Sequence, residues 1–372
     1  MSRPSDIIVI GAGIVGCSIA YELARRGASV EIVVERPVGM GATQASAGVL
    51  APFIEAREGS ALLDLTVRSL SMYDEFVGSV SHDSGVTVPY RRTGTLDVAF
   101  DENDLQHLRT TADFLARRGV PALMLDAAIA RAEEPLVADG IAGALLIEAH
   151  GYVAAHDLAR ALIAAARAHG AQLVEQSRVR RISPSGADIV VETDRGTLTS
   201  SAAVLAAGSW SGSIAVEGIA ARVPVYPIRG QLVHLGWSGT SLRRVTWSRS
   251  CYLVPWDDGT VLVGATSEAA GFDERLTVSG VHDLLQAASE VAPHAWTATF
   301  LGARVGLRPA TADQLPVIGA SRTVPNLVYA TGHYRNGILL APLTARLVAD
   351  ALLDGRADPL LEVVSPSRFG AL

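Results

Sequence analysis

Three glycines near the start of the chain carry the first chemical signal. Gly11, Gly13 and Gly16 stand as G-x-G-x-x-G directly after the apolar run 7–10, and Ile14, Val15, Ile19, Leu23 and Ala24 then recur near helical spacing. Arg25, Arg26 and Gly27 give that helix a cationic last turn and a stop. Residues 29–34 read as a second buried strand, and Glu35 follows, 24 positions after Gly11. Strand, glycine turn, helix, strand and acid in this order suit a dinucleotide. The turn lets backbone approach a pyrophosphate, the helix N-terminus offers it unpaired N–H groups and positive dipole, and the acid accepts from ribose hydroxyls. The motif leaves open whether the dinucleotide is FAD or a nicotinamide, and its plainer reading is an ordinary βαβ turn.

Absences prune the remaining chemistry. All 31 basic residues are arginine, so a pyridoxal phosphate Schiff base, a Walker A loop, a kinase lysine and a lysine aldolase are excluded. Nine histidines lie scattered without H-E-x-x-H spacing, and Gly208-Ser-Trp210-Ser-Gly212 has tryptophan where a nucleophile elbow needs serine. Cys17 and Cys251 are too few for a disulfide framework or a multi-cysteine zinc site; no metal is expected, and a reducing cytoplasm is the natural compartment. A net charge of −7 without a basic cluster gives no footprint for nucleic acid or anionic membrane. The apolar stretch 337–345 is broken by Pro342 and falls well below the ~18 residues of a membrane span, so a soluble protein is expected.

These residues need a frame to hold them. With 372 residues and roughly 150 per domain, the chain has room for two or three domains and a sizeable core. Residues 157–169 form a second helical pattern ending at Gly170, followed by strand-like runs at 172–175, 188–193 and 197–200, the last two joined across Asp194-Arg-Gly196. The run 202–207 then leads into Gly208-Ser-Trp210, where small residues permit close backbone contact with a ligand. Residues 86–100 and 222–266 alternate β-branched and aromatic residues and read as antiparallel strands of a second domain, covered by helices at 101–118 and 279–291. The fold class read from these patterns is α/β plus α+β: a Rossmann-like dinucleotide domain and a second domain on a mainly antiparallel β-sheet, with the chain passing between the two more than once.

From Gly302 the chain runs Gly302-Ala-Arg304-Val-Gly306-Leu-Arg308-Pro309, then Leu315-Pro316-Val-Ile318-Gly319, then Gly332-His333-Tyr-Arg335-Asn336-Gly337-Ile338. Together with the N-terminal fingerprint, Thr43-Gln44-Ala-Ser46-Ala47-Gly48, Val179, Ala207-Gly208-Ser-Trp210, Cys251-Tyr252 and Gly264-Ala-Thr266, this resembles the glycine oxidase group of the FAD-dependent D-amino-acid oxidase superfamily, over nearly the whole chain. The resemblance implies an FAD domain assembled from 1–82, 150–221 and 302–372 and a substrate domain from 83–149 and 222–301, with FAD held by Gly11, Gly13, Ile14, Gly16, Glu35, Arg36, Thr43, Gln44, Ser46, Ala47, Gly48, Val179, Ala207, Gly208, Trp210, Arg308, His333, Arg335, Asn336, Gly337 and Ile338. Arg308 matches the arginine that clamps the substrate carboxylate, Tyr252 a tyrosine hydroxyl at that carboxylate, and Arg335 an arginine beside the flavin. Gly306 aligns with a cysteine that tethers FAD in sarcosine oxidases, so noncovalent FAD is expected.

The implied reaction is oxidation of glycine, an N-substituted glycine or a small amino acid. Hydride passes from the α-carbon to flavin, the imine hydrolyses, and O₂ becomes H₂O₂. A guanidinium fork and a tyrosine hydroxyl suit that task, because they fix a carboxylate by parallel charge-assisted hydrogen bonds. Plainer roles stand beside these: an ion-paired surface arginine for Arg308, a core tyrosine for Tyr252, a loop brace for Arg335. Ser267 departs from the apolar Val or Met usual in glycine oxidase-like sequences, and predicts a wider or wetter pocket near the amine. Rival functions are a flavin dehydrogenase that feeds a quinone or carrier protein, and a flavin module serving cofactor or tRNA modification. The resemblance also implies a homo-oligomer, a tetramer.

Overall fold

The computed structural model describes residues 6–54, 61–219 and 221–372. Its first sheet has the strand order Val317–Ala320, Leu327–Thr331, Ala202–Leu205, Ile7–Ile10, Val30–Val33, Gln172–Val174. All pairings are parallel except that of Val317–Ala320 with Leu327–Thr331. The unbroken apolar run Ile7–Ile10 is explained by burial on both faces. Ile7 and Val9 pack under the helices Ile14–Arg25, Ala155–Ala168 and Gly337–Leu353, whereas Ile8 and Ile10 pack against Ile182, Ile189 and Val191 of a smaller sheet. That smaller sheet consists of Gly196–Ser200, Asp188–Thr193, Val179–Ser185 and Ala215–Val216. The Rossmann-like architecture read from the sequence is present.

The second sheet has eight strands, in the order Thr299–Ala310, Tyr226–Gly236, Thr260–Gly264, Tyr252–Pro255, Val245–Trp247, Thr95–Ala99, Gly143–Ile147, Leu123–Asp126. Only the pair Val245–Trp247 and Thr95–Ala99 is parallel, where two distant chain segments meet. The helix Val278–Val291 covers one face through Leu284, Ala288 and Val291. Leu108, Phe114 and Leu115 of the helix Glu102–Arg117 cover part of the other. One boundary moves from its expected place. Thr299–Ala310 pairs with Tyr226–Gly236 along its whole length, from Gly236↔Thr299 to Tyr226↔Ala310, so the chain stays in the second sheet past residue 302 and leaves it after Ala310.

Gly337–Leu353 is helical straight through Pro342. Proline lacks the N–H that would bond Ile338, four residues back. The orphaned Ile338 carbonyl instead accepts from the hydroxyl of Tyr73, a fully buried side chain on the helix Tyr73–Ser84. The helix therefore keeps its direction, and its N-terminus stays aimed at the cavity described next. No helix among the described residues is long and apolar enough to cross a membrane.

Candidate active site

A cavity of about 320 Å³ runs from the Gly11 turn to the second sheet. The three fingerprint glycines serve it differently. Gly11 has φ +109°, and a Cβ there would lie 2.5 Å from the Ala206 carbonyl oxygen on the neighbouring strand. A Cβ at Gly16 would run into the Gly11 carbonyl, so Gly16 packs helix on turn and does not line the cavity. At Gly13 a Cβ would meet only Thr43 Oγ1, at 3.6 Å, and would project into space that a pyrophosphate needs. Gly13 caps its helix with no side-chain hydrogen bond and no acid in the first turn, leaving an electropositive end exposed to the cavity. Thr43 takes one of the free donors: Ile14 N–H bonds its Oγ1 at 3.0 Å.

Glu35 lines the far end, 3.5 Å from the Arg178 guanidinium, which sequence reading did not single out. Arg36 lies beside it but is already engaged. Its two terminal nitrogens donate to Glu274 at 2.8 Å each, and its guanidinium stacks 4.2 Å over the Trp210 ring. It thereby ties the dinucleotide end of the cavity to the segment between the strand Thr260–Gly264 and the helix Val278–Val291. Val179, Ser46, Ala47, Gly48, Ala207, Gly208, Asn336, Gly337 and Ile338 all line the cavity. Gln44, in the 3₁₀ turn Ala42–Ala45, does not; its backbone carbonyl accepts from Arg304 at 3.4 Å.

A second helix N-terminus, at Gly337, opens on the opposite end with no acid in its first turn and no side-chain cap. Beside it His333 is 2% exposed and bonds Thr344 Oγ1 at 3.1 Å. Burial pushes its pKa down to about 3, so it stays neutral and is unsuited to act as a base that cycles its charge. Arg335 reaches the same region from an exposed position.

The second sheet supplies the other wall. Strand register puts Arg308, Gly306, Gly230, Gly264, Tyr252 and Trp247 on one face. Two glycines make this possible. A Cβ at Gly230 would occupy the place of the Arg308 guanidinium, and one at Gly264 would collide with the Tyr252 ring. Trp247 stacks on Tyr252 with 4.7 Å between ring centroids. Arg308 Nη1 donates to the Thr266 carbonyl at 2.9 Å. Gly230 and Trp247 escaped sequence reading, although a glycine inside a strand often marks a close approach.

Ser267 is not part of this wall. The regular strand ends at Gly264, and the Thr266 backbone, not the next side chain, reaches Arg308. Ser267 is exposed and lines a separate cavity of about 370 Å³ with Ser250, Glu268 and Asp283. The wider pocket predicted from Ser267 has no basis in this arrangement.

Residues 6–351 match the family model described as FAD dependent oxidoreductase. The chain belongs to that family. It is 34% identical over 352 residues to glycine oxidase of Geobacillus kaustophilus, covering 94% of this chain and 93% of the relative. The crystal structure of glycine oxidase from the same organism superposes with TM-score 0.94 at 32% identity, covering 99% of each chain. The structure of iminodiacetate oxidase from Chelativorans sp. BNC1 superposes with TM-score 0.88 at 30% identity, covering 97% of this chain and 98% of that one. The protein is thus an FAD-dependent oxidoreductase related to amino-acid and amine oxidases, and FAD is its cofactor. The cavity fits that group: two helix N-termini without an acid in their first turn face it, and the Gly13 position leaves backbone bare for a pyrophosphate.

Proposed function

We propose that this family member oxidises glycine or an N-substituted glycine, releasing ammonia or the corresponding amine together with glyoxylate and H₂O₂. The observation that carries the proposal is Arg308 and Tyr252 on one sheet face, each laid over a glycine and open to the cavity beside the Gly337 helix. Arg308 binds the substrate carboxylate through its planar fork, and the Tyr252 hydroxyl donates a further hydrogen bond to it. Both carboxylate oxygens are then fixed, which restricts the orientation of the Cα–H bonds within the cavity that Gly337 also lines. Orientation of this kind substitutes for an acid–base residue. The chemistry FAD supplies when bound is acceptance of the Cα hydride and transfer of the electron pair to O₂. The substrate nitrogen enters uncharged and leaves as an imine, which water hydrolyses.

Support for the N-substituted class comes from the likeness to iminodiacetate oxidase, whose named substrate is itself a glycine with a second group on nitrogen. Noncovalent FAD is supported by Gly306, which offers no side chain for a tether and packs where a Cβ would press on Ala42 and Ala45. Peroxide release with glycine, sarcosine and longer N-alkylglycines, paired with anaerobic bleaching of the flavin absorbance, tests the reading. Bleaching by a substrate without release of peroxide in air would instead favour a dehydrogenase.

A further inference from the structure

We infer that Thr266, anchored by Glu268, is a positioning residue that sets the direction of the Arg308 guanidinium toward the substrate carboxylate. The inference rests on the reading of Arg308 as the carboxylate clamp. Arg308 extends over Gly230, which offers a floor without side chain. Its Nη1 donates to the Thr266 carbonyl at 2.9 Å. Thr266 lies two residues beyond the end of its strand, between the ladder that ends at Gly264 and the isolated backbone bridge of Arg229 with Glu268. Side chains add to the backbone hold there.

Thr266 Oγ1 accepts from Gln231 N–H at 2.9 Å and donates to Glu268 Oε1 at 2.5 Å, and Thr266 N–H donates to the Gln231 carbonyl at 3.2 Å. Glu268 is held from every side. Its Oε1 also accepts from Gln231 Nε2 at 2.8 Å, and its Oε2 accepts from Arg229 Nε at 3.1 Å and Nη2 at 2.5 Å. Arg229 and Glu268 further exchange backbone hydrogen bonds of 2.9 Å each way. Gln231 is fully buried and Arg229 is 7% exposed, so this frame is rigid where Thr266 hangs from it. Burial alone would raise the Glu268 carboxyl, but hydrogen bonds from Thr266, Gln231 and Arg229 outweigh it and hold the group below its ordinary value. The carboxylate is therefore ionised at neutral pH and remains a strong acceptor for the threonine hydroxyl.

The chain of contacts runs Arg229, Glu268, Thr266, Arg308, and only the last touches substrate. Misplacement of a clamp by about 1 Å costs up to ~100-fold, so losing the hydroxyl should be visible as a change in carboxylate affinity. The test uses the holoenzyme with acetate as a carboxylate that cannot be oxidised, titrated against the flavin absorbance, alongside kcat and KM for the best amino acid. Thr266→Val keeps the shape and deletes the hydroxyl. Its acetate Kd and its KM should rise about tenfold or more, with kcat and FAD content changed far less, while Thr266→Ser stays near wild type. Arg308→Leu should lose acetate altogether. If Arg308→Leu loses acetate and Thr266→Val binds it like wild type, the positioning role is wrong and the clamp stands. If Arg308→Leu binds acetate normally, the clamp reading falls and takes this inference with it. Should Thr266→Val not accumulate as folded flavoprotein, Thr266→Ala is read against the same outcomes.

Discussion

Alanine at Gly13 and alanine at Gly11 should fail in different ways, although the two positions belong to one motif. At Gly13 the added methyl faces the cavity, so the apoprotein should fold with an unchanged unfolding midpoint while FAD affinity drops by an order of magnitude or more. At Gly11 the methyl meets the Ala206 backbone and the residue sits at φ +109°, so the apoprotein itself should lose stability, by about 1–2 kcal/mol or more. Urea unfolding of both apoproteins, followed by FAD titration, separates the cases; equal stability of the two would refute the distinction. Arg308→Lys is the matching test for the second sheet. An ammonium cannot reproduce the fork, so carboxylate substrates should keep poor kcat/KM even though charge is conserved. That Gly11, Gly13 and Arg308 line one cavity was legible because their pattern is local or repeats that of a family. Gly230 was not, since nothing near it in the chain says that a guanidinium from residue 308 will lie over it. Ser267 misled for the related reason that regular strand alternation ends at Gly264.

Among the elements, the Gly337–Leu353 helix carries a proline in its interior, and its aim depends on a partner outside itself. Tyr73 replaces the missing backbone donor at Ile338. Tyr73→Phe should therefore cost about 1–3 kcal/mol, the range for a buried acceptor left without a donor. Pro342→Ala restores the N–H, so in that background the same tyrosine substitution should cost clearly less. A double-mutant cycle by denaturant unfolding measures the coupling, and additive effects would show that Tyr73 acts elsewhere. Proline suggested a break when the stretch was read alone, because the rescuing hydroxyl is 265 residues away in sequence. Strands were legible where alternation was strong, as at Tyr226–Gly236. Gly143–Ile147 and Leu123–Asp126 were passed over because their register comes only from pairing with Thr95–Ala99 and with each other. Long-range pairing likewise carried Thr299–Ala310 across the expected domain boundary.

At the scale of the whole molecule, buried titratable groups pull stability in opposite directions with pH. His150 and His333 are pushed down to about 3 by burial, with Arg92 adding to the effect at His150. Below about pH 6.5 the unfolded chain protonates both and the folded chain does not, so their contribution is complete above that pH and is lost as pH falls toward 3. Each then removes up to about 1.4 kcal/mol per pH unit. Asp97 opposes them. It sits on the sheet face of Trp247, and burial, with a smaller push from Asp104, raises it to about 7. Between about pH 4 and 7 the folded chain keeps this proton and the unfolded chain does not, so Asp97 costs stability as pH rises through that window. Its full cost is reached above pH 7. Asn at this position mimics the neutral acid and never ionises. Asp97→Asn should thus be more stable than wild type at pH 8 and by a clearly smaller margin at pH 5, with a steeper loss on acidification because the histidines act unopposed. Carboxylates held low, such as Asp83, Asp313 and Asp358, act mainly below about pH 4 and leave this comparison clean. Urea unfolding at the two pH values and fixed FAD concentration decides the matter, since bound FAD itself adds to apparent stability. A stabilisation by Asp97→Asn of the same size at pH 5 and pH 8 would mean that Asp97 does not titrate between them.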